Sequence, residues 1–209
     1  MSRKFVITIA REYCSGGKKI GKRLAEELGV SCYDSEMFQM VSTAKNLKEG
    51  IAEKSSGAEG AKLYEAARRE LNGQDLDSFL ANSEIRISNL FEYQSEIIRI
   101  LAEGESCVIV GRAANYILKD QKDVVRIFIH APLSFRLKRA SSIHHMSEPE
   151  LRSYLKKIDD KRADYYKHYT NQDWRDVSDY DLSIDVSRYG IQGCVDFIKK
   201  YIANVFGED

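Results

Sequence analysis

Short apolar runs alternate along the chain with longer stretches whose apolar residues recur at helical spacing. Runs rich in β-branched residues are typical of strands that are buried on both faces. Five such runs predict strands, at residues 4–10, 30–34, 106–112, 123–131 and 180–187. Helical spacing predicts helices at residues 18–28, 77–103, 132–143, 147–169 and 191–205, and a short helix that ends near Leu118. The alternation indicates an α/β domain with a five-stranded parallel sheet that is covered by helices on both faces.

Turn-forming residues mark the ends of several elements. Gly29 stands where the residue after a helix belongs, and Pro132 suits the first turn of the helix that follows it. Residues 44–75 contain scattered glycines and serines that interrupt any periodicity, although residues 61–71 could form one helix. We therefore expect one domain over residues 1–209, with a mobile insertion at 44–75.

Composition narrows the classes of protein to consider. Lysine and arginine together number 32, as do aspartate and glutamate, so bulk charge gives no reason to expect a nucleic-acid partner. No apolar stretch approaches the roughly 20 residues that span a bilayer, which argues against a membrane partner. The four cysteines are scattered without a C-x-x-C pair and are typical of reduced thiols. A globular protein of the cytoplasm is the resulting prediction.

The segment ITIAREYCSGGKKIG places a glycine-rich turn between the first predicted strand and the first predicted helix. Backbone N–H groups in such a turn can point inward, and the N-terminus of the helix adds its positive dipole end. The predicted phosphate-binding residues form a continuous run: Cys14, Ser15, Gly16, Gly17, Lys18 and Lys19. The usual loop, G-x-x-x-x-G-K-[ST], ends differently. The alternative is a plain strand-to-helix turn with solvated lysines.

Arg11 follows the first strand directly, where its side chain could fold over a bound phosphate.

Six segments, the first of which contains this loop, follow one another in the family's order and span nearly the whole chain outside the insertion: ITIAREYCSGGKKIGKRLAEELGV, CYDSEMF, CVIVGRAANYIL, VVRIFIHAPLSFRLKR, KKIDDKRADYYKHYT and YDLSIDVSRYGIQGCVDFIKKYI. Together they resemble the cytidylate kinase-like family, which groups with the P-loop nucleoside monophosphate kinases. The resemblance implies a three-layer αβα fold, a helical insertion on the monophosphate side at about 44–105, and a lid at about 140–170.

The resemblance also implies an ATP- and Mg²⁺-dependent phosphotransferase, but the loop departs from the family's pattern. Gly17 falls where better-known cytidylate kinases carry the loop lysine, and Lys19 falls where they carry the Mg²⁺-side threonine. Arg11 or Lys18 could compensate, because a transferred phosphoryl group needs a nearby cation more than one backbone position. Valine at Gly17 is expected to place a side chain against the phosphates.

The acceptor side carries a similar mixture. By resemblance, Ser35 matches a serine that contacts the monophosphate, whereas Met40 replaces an expected arginine. Arg112 matches the arginine of a D-G-R-D motif that has lost both acids here, and it could bind phosphate with two parallel hydrogen bonds. A salt bridge from Arg112 to Asp34 is the alternative. We expect Asp34 to line the acceptor site together with Ser35 and Arg112, and it is also the nearest carboxylate candidate for the metal.

Two pairs of cations follow in the region that resembles the lid. Arg136 and Arg139 share one face of a predicted helix, and Lys161 and Arg162 lie on the next helix. Cations that converge from two helices can clamp a phosphate, although charges on an exposed helix are usually only solvated. We expect all four residues, with Arg11 and Lys18, to contribute catalytic charge.

Three functions remain open at this stage. The first is a kinase that phosphorylates a nucleoside monophosphate. The second is a nucleotide-binding protein without useful turnover, which the altered loop favours. The third is a kinase with a different small acceptor, since Met40 and Ala113 change positions that would read cytidylate. The identity of the acceptor and the oligomeric state are not predicted.

Overall fold

The computed structural model describes residues 4–34 and 87–207. Ser35, Met40, the insertion at 44–75 and the first ten residues of the helix predicted at 77–103 lie outside the described residues. No helix in the described ranges is both long enough and apolar enough to cross a membrane.

Five parallel strands form one sheet, as the apolar runs predict. In chain order they are β1 (Val6–Arg11), β2 (Ser31–Tyr33), β3 (Cys107–Val110), β4 (Val124–His130) and β5 (Leu182–Asp185). Their order across the sheet is β2-β3-β1-β4-β5. Because β1 lies at the centre between β3 and β4, the loops after β1 and β3 meet at the same edge, where ligands bind in open α/β sheets.

Helices cover both faces of this sheet. In chain order they are α1 (Gly17–Leu28), α2 (Ile87–Gly104), α3 (Ala114–Ile117), α4 (Leu133–Ser141), α5 (Glu148–Thr170) and α6 (Val186–Phe206). The predicted α/β fold class with a five-stranded parallel sheet is therefore confirmed. Gly29 ends α1 in the left-handed region, at φ 67°, as expected of that position.

Alternate strand residues face opposite helical layers. Ile7 and Val108 pack with α1 and α6, whereas Val6 and Cys107 pack with α2 and α3. Burial on both faces explains why β1 and β3 are almost continuous apolar runs without polar alternation.

Three of the boundaries that differ from the sequence prediction have a local cause. Strand β3 ends at Val110 instead of residue 112, because Gly111 and the two residues after it adopt positive φ. Helix α4 begins after Pro132, which is its N-cap in an extended conformation. A short segment from Val186 precedes the helix predicted to begin at residue 191, and Asp185 caps this segment by accepting a hydrogen bond from Ser187 N at 2.9 Å. Gly190 then interrupts α6 at φ 66°.

Candidate functional site

The loop between β1 and α1 turns sharply and leaves the N-terminus of α1 facing the ligand edge. Gly16 is the N-cap of α1 at φ 105°, and a Cβ there would lie 2.7 Å from Ile191 Cδ1. Cys14 also has positive φ, at 58°. The buried Ser15 hydroxyl donates to the carbonyl of Glu12 at 2.8 Å, which ties the loop back on itself. Glycine carries no capping side chain, so backbone N–H groups and the positive dipole end can receive an anion.

Gly17 faces the protein interior. A Cβ at Gly17 would lie 2.6 Å from Arg11 Cβ and 3.3 Å from Ile129 Cβ. The expectation that valine at this position would press on bound phosphate is therefore wrong, because its side chain would meet Arg11 and the sheet. The substitution would disturb the base of the loop.

Arg11 runs from Gly17 to the loop after β3. Its guanidinium reaches Gly111, where an added Cβ would overlap Nη1. Burial, followed by the positive charges of Arg162 and Arg112, lowers the pKa of Arg11 to about 9. Arginine keeps its proton in proteins, so the lowered pKa reflects the free energy that is needed to hold three cations close together. A bound anion would remove much of that penalty.

A cavity of about 350 Å³ opens beside this cluster, beyond the ends of β1 and β3. Four cations line it: Arg11, Arg112, Lys161 and Arg162. Tyr165, Tyr166 and Trp174 add aromatic surface. None of the described residues that line the cavity is acidic, which makes it suited to a compact anion with an apolar or aromatic part.

Arg112 stands on a strained turn at the mouth of this cavity. Gly111, Arg112 and Ala113 take positive φ in succession, at 89°, 57° and 54°. Such conformations are unfavourable for residues with a side chain and cluster at ligand-binding sites. Within the described part of the chain, Arg112 Nε is buried with no hydrogen-bond partner, and the guanidinium lies 6.0 Å from the ring centroid of Tyr165.

The four predicted lid cations fall into different environments. Arg139 lies against the loop, with Nη2 3.4 Å from the position of a Cβ on Gly16. Its Nε is buried and has no hydrogen-bond partner within residues 4–34 and 87–207. Lys161 is exposed at the cavity, and Arg162 donates to the Arg11 carbonyl at 3.0 Å. These three cations therefore converge on the candidate site.

Arg136 instead points into the protein. Its Nη1 lies 2.6 Å from Asp159 Oδ2, and its Nε lies 3.3 Å from Glu12 Oε2. Nε also donates to the Ala131 carbonyl at 3.1 Å. Two carboxylates already compensate the charge of this guanidinium. This position favours a role in which Arg136 stabilises the loop over one in which it contacts phosphate directly.

Asp159 was not among the site residues predicted from the sequence, although it connects the loop to helices α4 and α5. It is 2% exposed and accepts hydrogen bonds from the Tyr13 backbone N–H at 2.7 Å and from Arg136. Its position four residues after Leu155 and eight after Leu151 puts it on the buried face of α5. An acidic residue in an apolar helical stripe was the signal that could have identified it.

Asp34 follows β2 and faces the start of α1. Its carboxylate is 3.1 Å from Lys18 Nζ and 3.8 Å from Lys22 Nζ. Among the described residues, no three histidine, cysteine, aspartate or glutamate side chains form a group that could hold a metal ion. A magnesium ion here would therefore rely on Asp34, water and ligand phosphates. Lys19 is exposed, and Ser35 lies outside the described residues.

The fold and the site define an α/β protein of the P-loop kinase fold. A solved shikimate kinase from Bacteroides thetaiotaomicron shares this fold, with a TM-score of 0.52 over 95% of this chain and 98% of that one at 14% identity. An uncharacterized protein from Eubacterium ventriosum is more similar, with a TM-score of 0.71 and 26% identity over 95% of this chain and 98% of that one. The chain belongs to the cytidylate kinase-like family, whose sequence model matches residues 6–188.

Curated relatives agree with this assignment. A cytidylate kinase of Methanothrix thermoacetophila is 26% identical over 189 residues, which cover 90% of this chain and 92% of that protein. A cytidylate kinase of Methanosarcina mazei is 26% identical over 207 residues, which cover 97% and 99% respectively. The predicted family is confirmed, and a kinase-like phosphotransferase is the class it supports.

Proposed function

We propose that this protein transfers the γ-phosphoryl group of ATP to a nucleoside monophosphate or a similar small anionic acceptor. One observation carries the proposal: a glycine-rich loop at a helix N-terminus adjoins a cavity with four cations and no described acidic lining residue. Membership of the cytidylate kinase-like family and similarity to two cytidylate kinases support the same reaction class.

The donor would bind on the loop side. Backbone N–H groups at the start of α1 would receive its phosphates, and Arg139, whose Nε is buried without a hydrogen-bond partner among the described residues, would add charge. Lys18 and Lys19 lie in the same turn. These residue types fit a polyphosphate, which needs several donors around one compact negative group.

The residues present also fit a metal that is carried by the nucleotide. Asp34 offers one carboxylate next to the loop, and Mg²⁺ in kinase sites is commonly held by one or two carboxylates with substrate phosphates and water. When bound, Mg²⁺ would neutralise charge on the donor phosphates. Lys18, 3.1 Å from Asp34 Oδ2, would share the carboxylate with it.

The acceptor would occupy the cavity. Arg112 and Lys161 can bind its anionic group, and the rings of Tyr165 and Trp174 can contact a planar part. Arg11 and Arg162 lie between this cavity and the loop. Phosphoryl transfer requires positioning and compensation of the charge that spreads over the transferred group, which cations in this place would provide.

An assay of ADP release tests this proposal. The protein is incubated with ATP and Mg²⁺ alone, then with CMP, dCMP, UMP, AMP, GMP or non-nucleotide phosphomonoesters. ADP formed only when a monophosphate nucleotide is present supports the proposed reaction. ADP formed only with a non-nucleotide phosphomonoester would retain the phosphotransferase and replace the acceptor. No ADP with any acceptor would contradict the transferase.

A nucleotide-binding protein without turnover is the second candidate. Gly17 stands where the usual loop has its lysine and Lys18 where it has its hydroxyl residue, and this favours a protein without turnover. Calorimetric binding of ATP with no ADP release under any condition would select this function. A cytoplasmic location stays an expectation, with which four free cysteines agree.

A further inference from the structure

We infer that the glycine and the cation of the usual phosphate loop have exchanged positions in this protein. Gly17 stands at the position of the usual lysine, and Arg11, at the position of the usual glycine, supplies the phosphate-binding cation. The usual motif places a glycine six residues before its lysine. Here the same two positions, six residues apart, hold Arg11 and Gly17, and the intervening glycine of the motif is kept as Gly16. The inference rests on the proposed function only in that the loop binds a polyphosphate.

Steric contact explains the glycine half of the exchange. A Cβ at Gly17 would lie 2.6 Å from Arg11 Cβ, closer than real Cβ atoms approach, and 3.0 Å from Arg11 Cγ. Gly17 is the first residue of α1, and its φ is not positive, so conformation does not require a glycine there. The position needs glycine because the stem of Arg11 occupies the space beside it.

The reach of the side chain explains the arginine half. From its contact with Gly17, the Arg11 side chain extends until Nη1 meets Gly111, across the ligand edge of the sheet. Its guanidinium lines the cavity that also contains Arg112 and Arg162. A guanidinium can bind phosphate oxygens with two parallel hydrogen bonds, and the long stem lets it do so from the end of β1.

The carboxylates near Arg11 already have other partners. The negative charges of Asp34 and Asp159 both raise the pKa of Arg11 and so stabilise its charged form. Asp34 lies 3.1 Å from Lys18 Nζ, and Asp159 lies 2.6 Å from Arg136 Nη1. The cluster therefore has more cations than described carboxylates can compensate, which is the condition that an incoming phosphate satisfies. An arginine that served only to form an internal ion pair would need no excess of cations around it.

Four proteins test the exchange: the wild type, Arg11→Gly, Gly17→Lys and the double variant Arg11→Gly/Gly17→Lys. Isothermal titration calorimetry measures ATP affinity in the presence of Mg²⁺. Loss of one charge-assisted contact should weaken ATP binding about tenfold or more in Arg11→Gly. The double variant should bind within about threefold of the wild type, because lysine then has both the space and the position that the usual loop gives it.

Thermal melting supplies a second readout, which does not depend on nucleotide. Gly17→Lys alone should melt well below the wild type, because its side chain collides with Arg11. In the Arg11→Gly background the same lysine should cause little further loss. Arg11→Gln keeps most of the stem and removes the charge, so it should weaken ATP binding without the backbone freedom of glycine. Arg23→Gln removes an exposed charge from α1, the helix that begins at Gly17, and should keep the wild-type affinity.

Three results would overturn the inference. The first is that Arg11→Gln and Arg11→Gly both bind ATP within twofold of the wild type, and the second is that the double variant binds no better than Arg11→Gly. A wild type that binds neither ATP nor inorganic tripolyphosphate would also overturn it. ATP binding that depends on Arg11 without any ADP release would contradict the proposed transferase activity and still support the exchange.

Discussion

The carboxylate of Asp159 holds three parts of the site in place, so its neutral isostere should loosen them together. Oδ2 pairs with Arg136 on α4 at 2.6 Å, and Oδ1 accepts the Tyr13 N–H of the loop at 2.7 Å. Oδ1 also lies 3.4 Å from Arg162 Nη1. Asp159→Asn keeps the shape, removes the charge and turns one oxygen into an N–H₂ group. That group cannot accept from either cation or from the loop.

The magnitude follows from burial. Breaking a buried ion pair on one side costs about 3–5 kcal/mol, because the remaining charge loses its compensation. Glu12 stays 3.3 Å from Arg136 Nε and retains part of that compensation, which favours the lower end, about 3 kcal/mol. For a chain of this size each kcal/mol lowers Tm by about 2–4 °C. We expect Asp159→Asn to melt about 6–12 °C below the wild type.

Asp160→Asn is the matched control for this experiment. Asp160 is the next residue of α5, but its side chain is 49% exposed and pairs with Lys156 one turn away. Exposed pairs of this kind contribute only about 0.3–0.5 kcal/mol. Circular dichroism melts at pH 7 should therefore separate the two variants clearly. Equal Tm values within about 2 °C would refute the reasoning that Asp159 organises the site.

Three further outcomes can be measured. Arg112→Ala should raise KM for the acceptor about tenfold or more and change KM for ATP less than threefold; equal effects in steady-state kinetics would contradict its acceptor role. Burial raises the pKa of Cys14, so at pH 8 iodoacetamide should alkylate Cys14 more slowly than it alkylates the thiol of free glutathione. The rate should increase as the pH rises and decrease when ATP is bound. Peptide mapping that finds fast labelling unaffected by ATP would contradict this. Gly21→Val should lower the unfolding free energy by about 1–3 kcal/mol in urea, since a Cβ there lies 2.7 Å from Val110 Cγ2; an unchanged midpoint would exclude that clash.

The strands were predictable because burial on both faces leaves a simple signature. Runs such as VITIAR and CVIV are mainly apolar and rich in β-branched residues. The end of β3 was not predictable in the same way. Arginine and alanine rarely take positive φ, so nothing in the letters G-R-A indicates that Arg112 and Ala113 both do so. Tertiary contacts around the cavity have to impose that turn.

The cations of the site were predictable by type and less so by role. Arg11 and Arg112 follow parallel strands, and the ends of such strands meet at one edge, so their proximity follows from topology. Arg136 and Arg139 share a helix face and could not be distinguished by spacing. Their difference depends on Asp159, which is 23 residues from Arg136 and comes close only because α4 packs on α5.

Relocation of the cation from the start of α1 to the end of β1 changes what it can contact. A lysine at the start of the helix projects from the loop itself, so it serves the donor phosphates. Arg11 passes beneath Gly17 and ends beside Gly111, in the cavity that Arg112 also lines. The same guanidinium therefore lies at the boundary between the loop and the cavity, where a phosphoryl group would pass from donor to acceptor. Charge placed there would act on the group in transit as well as on the bound donor, and the part that is stronger in the transition state would accelerate the chemical step.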